Sequence, residues 1–200
     1  MAPGNYLIQA GEYLITLLFG LYILAVMLRF LLQYVRADFY NPVSQFLVTV
    51  TTPALKPLRR WIPGFGGIDW PSIILLFFLQ GVALFLTALL KTGGPPAAVG
   101  LLVLIFAHLV KMLVWIYLIV IIVQAITSWI NPGAYSPITV LIYQLTQPLV
   151  RPVQNIIPPA GGIDWSPFVV LVILQLILIL LVAPLQDYGN LLAGYNMRLL

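Results

Sequence analysis

Residues 59–70 read RRWIPGFGGIDW, and 95 positions later residues 154–165 read QNIIPPAGGIDW. Each copy stands between two apolar runs, and that placement decides the fold. The runs cover 12–35, 72–90, 97–130 and 167–185. Each is long enough to cross a hydrocarbon core that needs about 20 helical residues. The first copy joins runs one and two, the second joins runs three and four, so each half is a membrane helix, a motif loop and a membrane helix. The units are 1–95, with loop 36–70, and 96–200, with loop 131–165.

At the same offset Thr51, Pro53, Pro57, Pro63, Gly66, Gly67, Asp69, Trp70 and Gln80 recur as Thr146, Pro148, Pro152, Pro158, Gly161, Gly162, Asp164, Trp165 and Gln175. Two spans per unit return the chain to its starting side. Both copies therefore insert the same way up, and both loops lie on one face, as parallel rather than inverted repeats.

Composition agrees. The chain is 62% hydrophobic and 7% charged, where a soluble domain carries about 25% charged residues. A β-barrel would alternate apolar and polar residues, which IILLFFLQGVALFLTALL (73–90) does not. The fold expected is an all-α membrane protein: four transmembrane helices in two parallel hairpins, with Pro/Gly-rich interfacial or re-entrant loops. The first run has no basic segment before it and reads as an uncleaved span.

Nine Lys and Arg against five acids give +4, too thinly spread for a nucleic-acid platform. Lys56, Arg59 and Arg60, with Arg151 in the second loop, suit anionic lipid headgroups at about 1 kcal/mol per basic side chain. Arg36 adds to that side, against Lys91, Lys111 and Arg198 opposite. The positive-inside rule places both loops in the cytoplasm and both termini outside.

Within the motif, Pro53, Pro57 and Pro63 remove backbone donors and predict a broken, partly extended interfacial segment. Gly66 and Gly67 permit a tight reversal. Asp69 and Asp164 are placed to accept from the first amides of the following helices. A paired acid/base or metal site is the competing reading, but no His or further carboxylate stands beside Asp69 or Asp164 in either motif. Trp70 and Trp165 fall at the membrane boundary, the depth indole favours.

Polar groups inside the spans need partners. Arg29, Gln33 and Arg36 share one helical face, and Gln124 stands where Arg29 recurs. Gln80 and Gln175 are expected to face the bundle interior, with Arg29 bonded to them or snorkelling to the loop side; a polar transport pathway would use the same side chains. On the far side the offset sets Glu12 level with Ala107, predicting a Glu12 contact with His108 or Lys111. Thr16, Gly20, Thr87 and Ala88 offer close-packing positions. The third run would extend about 51 Å as one helix, so it tilts, projects, or gives up 98–107 as a separate piece. No metal set, catalytic constellation or nucleotide fingerprint is present, so neither cofactor nor enzyme activity is expected.

The two stretches NPVSQFLVTVTTPALKPLRRWIPGFGGIDWPSIILLFFLQ and SPITVLIYQLTQPLVRPVQNIIPPAGGIDWSPFVVLVILQ resemble the tandem motifs of the YggT family of bacterial and plastid membrane proteins, over essentially the whole chain. The second copy departs from the pattern, with Gln154 and Asn155 where Arg59 and Arg60 stand. The resemblance implies a bacterial inner-membrane protein with no established catalytic activity, in a family connected with osmotic-stress tolerance, cell division, nucleoid distribution and plastid cytochrome assembly. The function expected is organising or assembling other membrane machinery, with anionic lipids and a membrane protein or a second copy as partners. A transporter or channel in osmotic balance is the alternative.

Overall fold

The computed structural model describes residues 6–130, 136–157 and 164–194. The described residues form helices α1 (Tyr6–Tyr34), α2 (Pro42–Trp61), α3 (Trp70–Thr92), α4 (Ala98–Ile130), α5 (Pro137–Gln154), α6 (Ser166–Ile177) and α7 (Ala183–Leu192), with a π-helical turn, Leu178–Val182, between the last two. Among the described residues four spans are long and apolar enough to cross a membrane: Tyr6–Tyr34, Trp70–Thr92, Ala98–Ser128 and Ser166–Leu192. The third apolar run is one helix throughout, with no separate piece at 98–107.

The ends of the elements follow from local chemistry. Helix α1 closes with Arg36 at φ 54°; the Ala37 amide donates to Leu32 O (2.8 Å) and the Arg36 amide to Gln33 O (3.1 Å), a Schellman closure with arginine in the seat glycine favours. Helix α2 starts where Asn41 Oδ1 accepts from the Val43 amide at 3.0 Å, and α5 starts on a Ser136/Thr139 capping box. Helix α3 ends at Gly93, φ 71°. The π turn precedes Pro184, which has no donor for the carbonyl of Leu180, so an unbroken α ladder could not continue there.

Helices α2 and α5 correct the sequence reading: both run through their internal prolines, Pro53 and Pro57, Pro148 and Pro152. All four prolines are exposed. The carbonyls they leave without a donor therefore lie on the outer face, where water or headgroups can satisfy them, while Leu55 and Val150, equivalent across the repeat, are fully buried. An amphipathic burial pattern outweighs proline's local preference because the opposite face gains a core.

Packing is strongest within each repeat. Helix α1 lies on α3, and α4 on α6 and α7; α3 on α4 is the main contact between the repeats' spans. One cluster joins Ile23 and Val26 of α1, Leu55, Leu76 of α3, Ile121 of α4 and Val150. Glycines permit close approaches between helices, Gly81 and Gly100 among them. A Cβ on Gly81 would lie 3.1 Å from Ile105 Cδ1, and one on Gly100 only 2.1 Å from the Ala193 backbone nitrogen.

Candidate functional site at the loop-side joints

On the loop side α2 is tied to the bundle by two polar joints. At the first, Arg29, 5% exposed, directs Nη1 to Thr51 Oγ1 (2.7 Å), Thr52 Oγ1 (3.2 Å) and the Val48 carbonyl (3.3 Å). Both hydroxyls in turn donate one turn back, to the Leu47 and Val48 carbonyls, which leaves their lone pairs for the guanidinium. Arg29 thus meets neither glutamine; α2 brings acceptors to it. Its Nε is buried without a partner among the described residues.

At the second joint Arg59 Nη2 lies 2.6 Å from Asp69 Oδ2, and the same oxygen accepts from Ser72 Oγ at 2.6 Å. Gln33 Oε1 stands 3.4 Å from Arg59 Nη2. Asp69 is the residue that caps α3, yet its side chain accepts from no amide there. The capping expectation is corrected: a carboxylate 4% exposed is better served by a guanidinium and a hydroxyl than by one amide. Between the joints Gly66 and Gly67, at φ 68° and 79°, turn the chain tightly, with the Ile68 amide on Phe65 O (3.3 Å) and Trp70 Nε1 on the same carbonyl (3.2 Å). Positive φ at both central residues makes a type I′ turn, which asks for glycine twice. Pro158, Gly161 and Gly162 of the second copy lie outside the described residues.

The second repeat keeps the joint and changes the donors. Gln154, 95 residues after Arg59, donates Nε2 to Asp164 Oδ2 at 2.7 Å, and the Ser166 amide donates to Asp164 Oδ1 at 2.9 Å. Here the carboxylate does meet the first amide of its helix, from the position before the N-cap residue Trp165. Burial pushes the Asp164 carboxyl up, but the bonds from Gln154 and Ser166 outweigh it and leave the group below its usual range. Gln124, at Arg29's place, has its Oε1 buried without a partner among the described residues. The two loop-side helices meet at their starts: Asn41 Nδ2 donates to Pro137 O at 2.6 Å and the Asp38 amide to Gln144 Oε1 at 3.3 Å, so both motif loops sit at one end of the bundle.

On the far side the predicted Glu12 contact is corrected. Glu12 Oε1 pairs with Lys91 Nζ at 2.6 Å, within its own hairpin. Gln186, the equivalent of Lys91, lies 3.4 Å from His108 Nε2 and accepts from Lys111 Nζ at 3.5 Å. His108 Nδ1 faces Leu104 O at 2.8 Å; a carbonyl only accepts, so Nδ1 carries the proton and Nε2 takes the one from Gln186. Each far-side tie therefore stays inside a repeat, because α1 packs on α3 rather than on α4.

The outer surface of α2 divides into two stripes. Phe46, Val50, Pro53, Pro57 and Trp61 line one; Gln45, Thr49, Lys56 and Arg60 line the next, and all are exposed. On α5, Leu141 and Leu145, which stand where Phe46 and Val50 do, are buried instead, and Arg151 is exposed. Trp70 and Trp165 are 41% and 48% exposed. Inside the spans Gln80 is buried at 9%, whereas Gln175 is exposed, correcting the expectation that both face inward. Thr16 is exposed, Gly20 has open space beside it and Ala88 is buried. Between α1, α3 and α4 lies a cleft of about 240 Å³ lined by apolar side chains, Met27, Phe30, Leu76, Phe77, Leu109 and Leu113 among them. Among the described residues no three His, Cys, Asp or Glu gather to hold a metal.

Two hairpins with matching joints at matching positions agree with a comparison of the sequence against protein families, in which the CCB3/YggT family matches twice, over residues 8–90 and 103–185. The chain belongs to the CCB3/YggT family. Among its CCB3/YggT relatives, the uncharacterized protein PA0392 of Pseudomonas aeruginosa is 41% identical over 169 residues, 84% of this chain and 86% of that protein. The uncharacterized protein YggT of Escherichia coli K12 is 35% identical over 180 residues, 90% of this chain and 93% of its own. A Vibrio alginolyticus protein named for the proC 3′ region is 40% identical over 169 residues, 82% of this chain and 89% of that protein. No solved structure matches. In this CCB3/YggT chain the joint residues that sequence reasoning missed are Thr51, Thr52, Ser72 and Lys91. Thr51 did carry a signal, since it recurs as Thr146 and both are fully buried.

Proposed function

We propose that this CCB3/YggT chain is a non-enzymatic inner-membrane protein that organises or assembles other membrane machinery. Its motif loops face the cytoplasm, and α2 and α5 hold anionic lipid headgroups and a membrane-protein partner there. The observation that carries the reading is the double stripe on α2. A helix with one face in the core, a second exposed and apolar and a third exposed and basic is suited to the bilayer interface, where acyl chains meet the apolar stripe and headgroup phosphates meet Lys56 and Arg60. A solute route has less support, since Arg29 is bonded to α2, Gln175 is exposed while Gln80 is buried and the cleft beside α1 is apolar.

Extraction in mild detergent tests the proposal. The wild-type chain should retain anionic phospholipid and one membrane-protein partner, and the double variant Lys56→Glu/Arg60→Glu should lose most of both while remaining folded. Equal retention by the variant would refute it, as would a specific ion current through reconstituted vesicles that disappears with Gln80→Leu.

A further inference from the structure

Gln175 lies ten residues past Trp165, about 15 Å along the helix at 1.5 Å per residue, near the middle of a hydrocarbon core about 30 Å thick. Its side chain is exposed and has no hydrogen-bonding partner among the described residues, while its repeat-equivalent Gln80 is buried. An amide left in lipid forfeits its hydrogen bonds. Phe168, Val172 and Ile179 are exposed on the same face, and with Gln175 they follow the i, i+4, i+7, i+11 spacing of a helix-pairing seam. This span is also the least covered of the four, 17% of its most apolar stretch being buried against 28%, 28% and 33% for the others.

We infer that α6 and the start of the π turn form a homodimer interface, in which Gln175 of one copy hydrogen-bonds Gln175 of a second copy across a two-fold axis along the membrane normal. The occupant follows from the chemistry. A carboxamide carries both donor and acceptor, so under two-fold symmetry, where a residue near the axis meets its own counterpart, each glutamine satisfies the other. Lipid tails offer neither group. The inference stands on Gln175 and α6 alone and does not depend on the function proposed for the loop side.

The chain has no cysteine, so every introduced thiol is unique. Val172→Cys and Ile179→Cys, which leave Gln175 in place, should each give disulfide-linked homodimers on oxidation in native membranes, while Leu174→Cys, on the buried face, should not. Energy transfer between labelled copies in vesicles should show Gln175→Leu dimerising roughly three- to tenfold more weakly, with Gln175→Asn within about twofold of wild type. Absent or position-independent homodimers at 172 and 179, crosslinks there only to a different protein, or a Gln175→Leu variant that dimerises as tightly as wild type would each overturn the inference.

Discussion

A carboxylate 4% exposed, as Asp69 is, must be met by donors or lose its charge. Asp69 has Arg59 and Ser72, and Asp164 has Gln154 and an amide. Since Gln154 serves in the second copy, Arg59→Gln should hold stability within about 1 kcal/mol of wild type, whereas Arg59→Ala should cost about 1–3 kcal/mol by stripping a buried acceptor; thermal unfolding in detergent measures both. Asp164 carries the pH signature. Its carboxyl is held below the usual range, so its contribution is complete above the unfolded-state pKa and is lost as pH falls through the folded-state pKa. Gln154→Ala should therefore flatten the acid limb of a plot of melting temperature against pH. Arg36, at φ 54°, holds a conformation that costs an L-residue about 1–2 kcal/mol, so Arg36→Gly should stabilise by about 0.5–1 kcal/mol after its entropic cost in the unfolded chain. The sequence made both aspartates legible as joint residues. It did not reveal their partners, because Arg59 lies ten residues away across a turn whose geometry depends on two glycine dihedrals.

Helices α2 and α5 are the elements least legible in the sequence, since two internal prolines in each argue locally against a helix. What decides is Ser44, Leu47, Thr51 and Leu55, the buried face of α2, which recurs at helical spacing and leaves both prolines outside. The joint between α1 and α2 is polar, and its energetics can be separated. Thr51→Val should destabilise by about 1–3 kcal/mol, because it takes the shortest acceptor from a buried guanidinium. Adding Arg29→Met should restore part of that loss, since no uncompensated charge then remains; a double mutant with the summed cost of its parts would count against the joint. At the opposite end Gly100→Ala should cost about 1–3 kcal/mol, because the Ala193 backbone, rather than a flexible side chain, occupies the space. The far-side pairing of Glu12 is not legible in the sequence for a related reason: the offset gives the level of a residue along the bundle, but not which helix stands beside it.

At the scale of the molecule the repeat was the most legible feature, because an offset of 95 residues carries both span order and loop placement. The two units are nevertheless unequal: Phe46 and Val50 are exposed where Leu141 and Leu145 are buried, and Gln175 is exposed where Gln80 is buried. Equivalence in sequence fixes backbone position, while the neighbours each copy finds decide what is covered. The bond from Asn41 to Pro137 requires both loop-side helices to lie at one membrane face, and the function proposed for α2 and α5 presupposes it. Single cysteines at Phe65, Gly94 and Ile156 in an otherwise thiol-free chain, labelled with a membrane-impermeant maleimide on intact cells and on inverted vesicles, test this directly. Positions 65 and 156 should label from the same side and position 94 from the other; labelling of 65 and 156 from opposite sides would contradict the account.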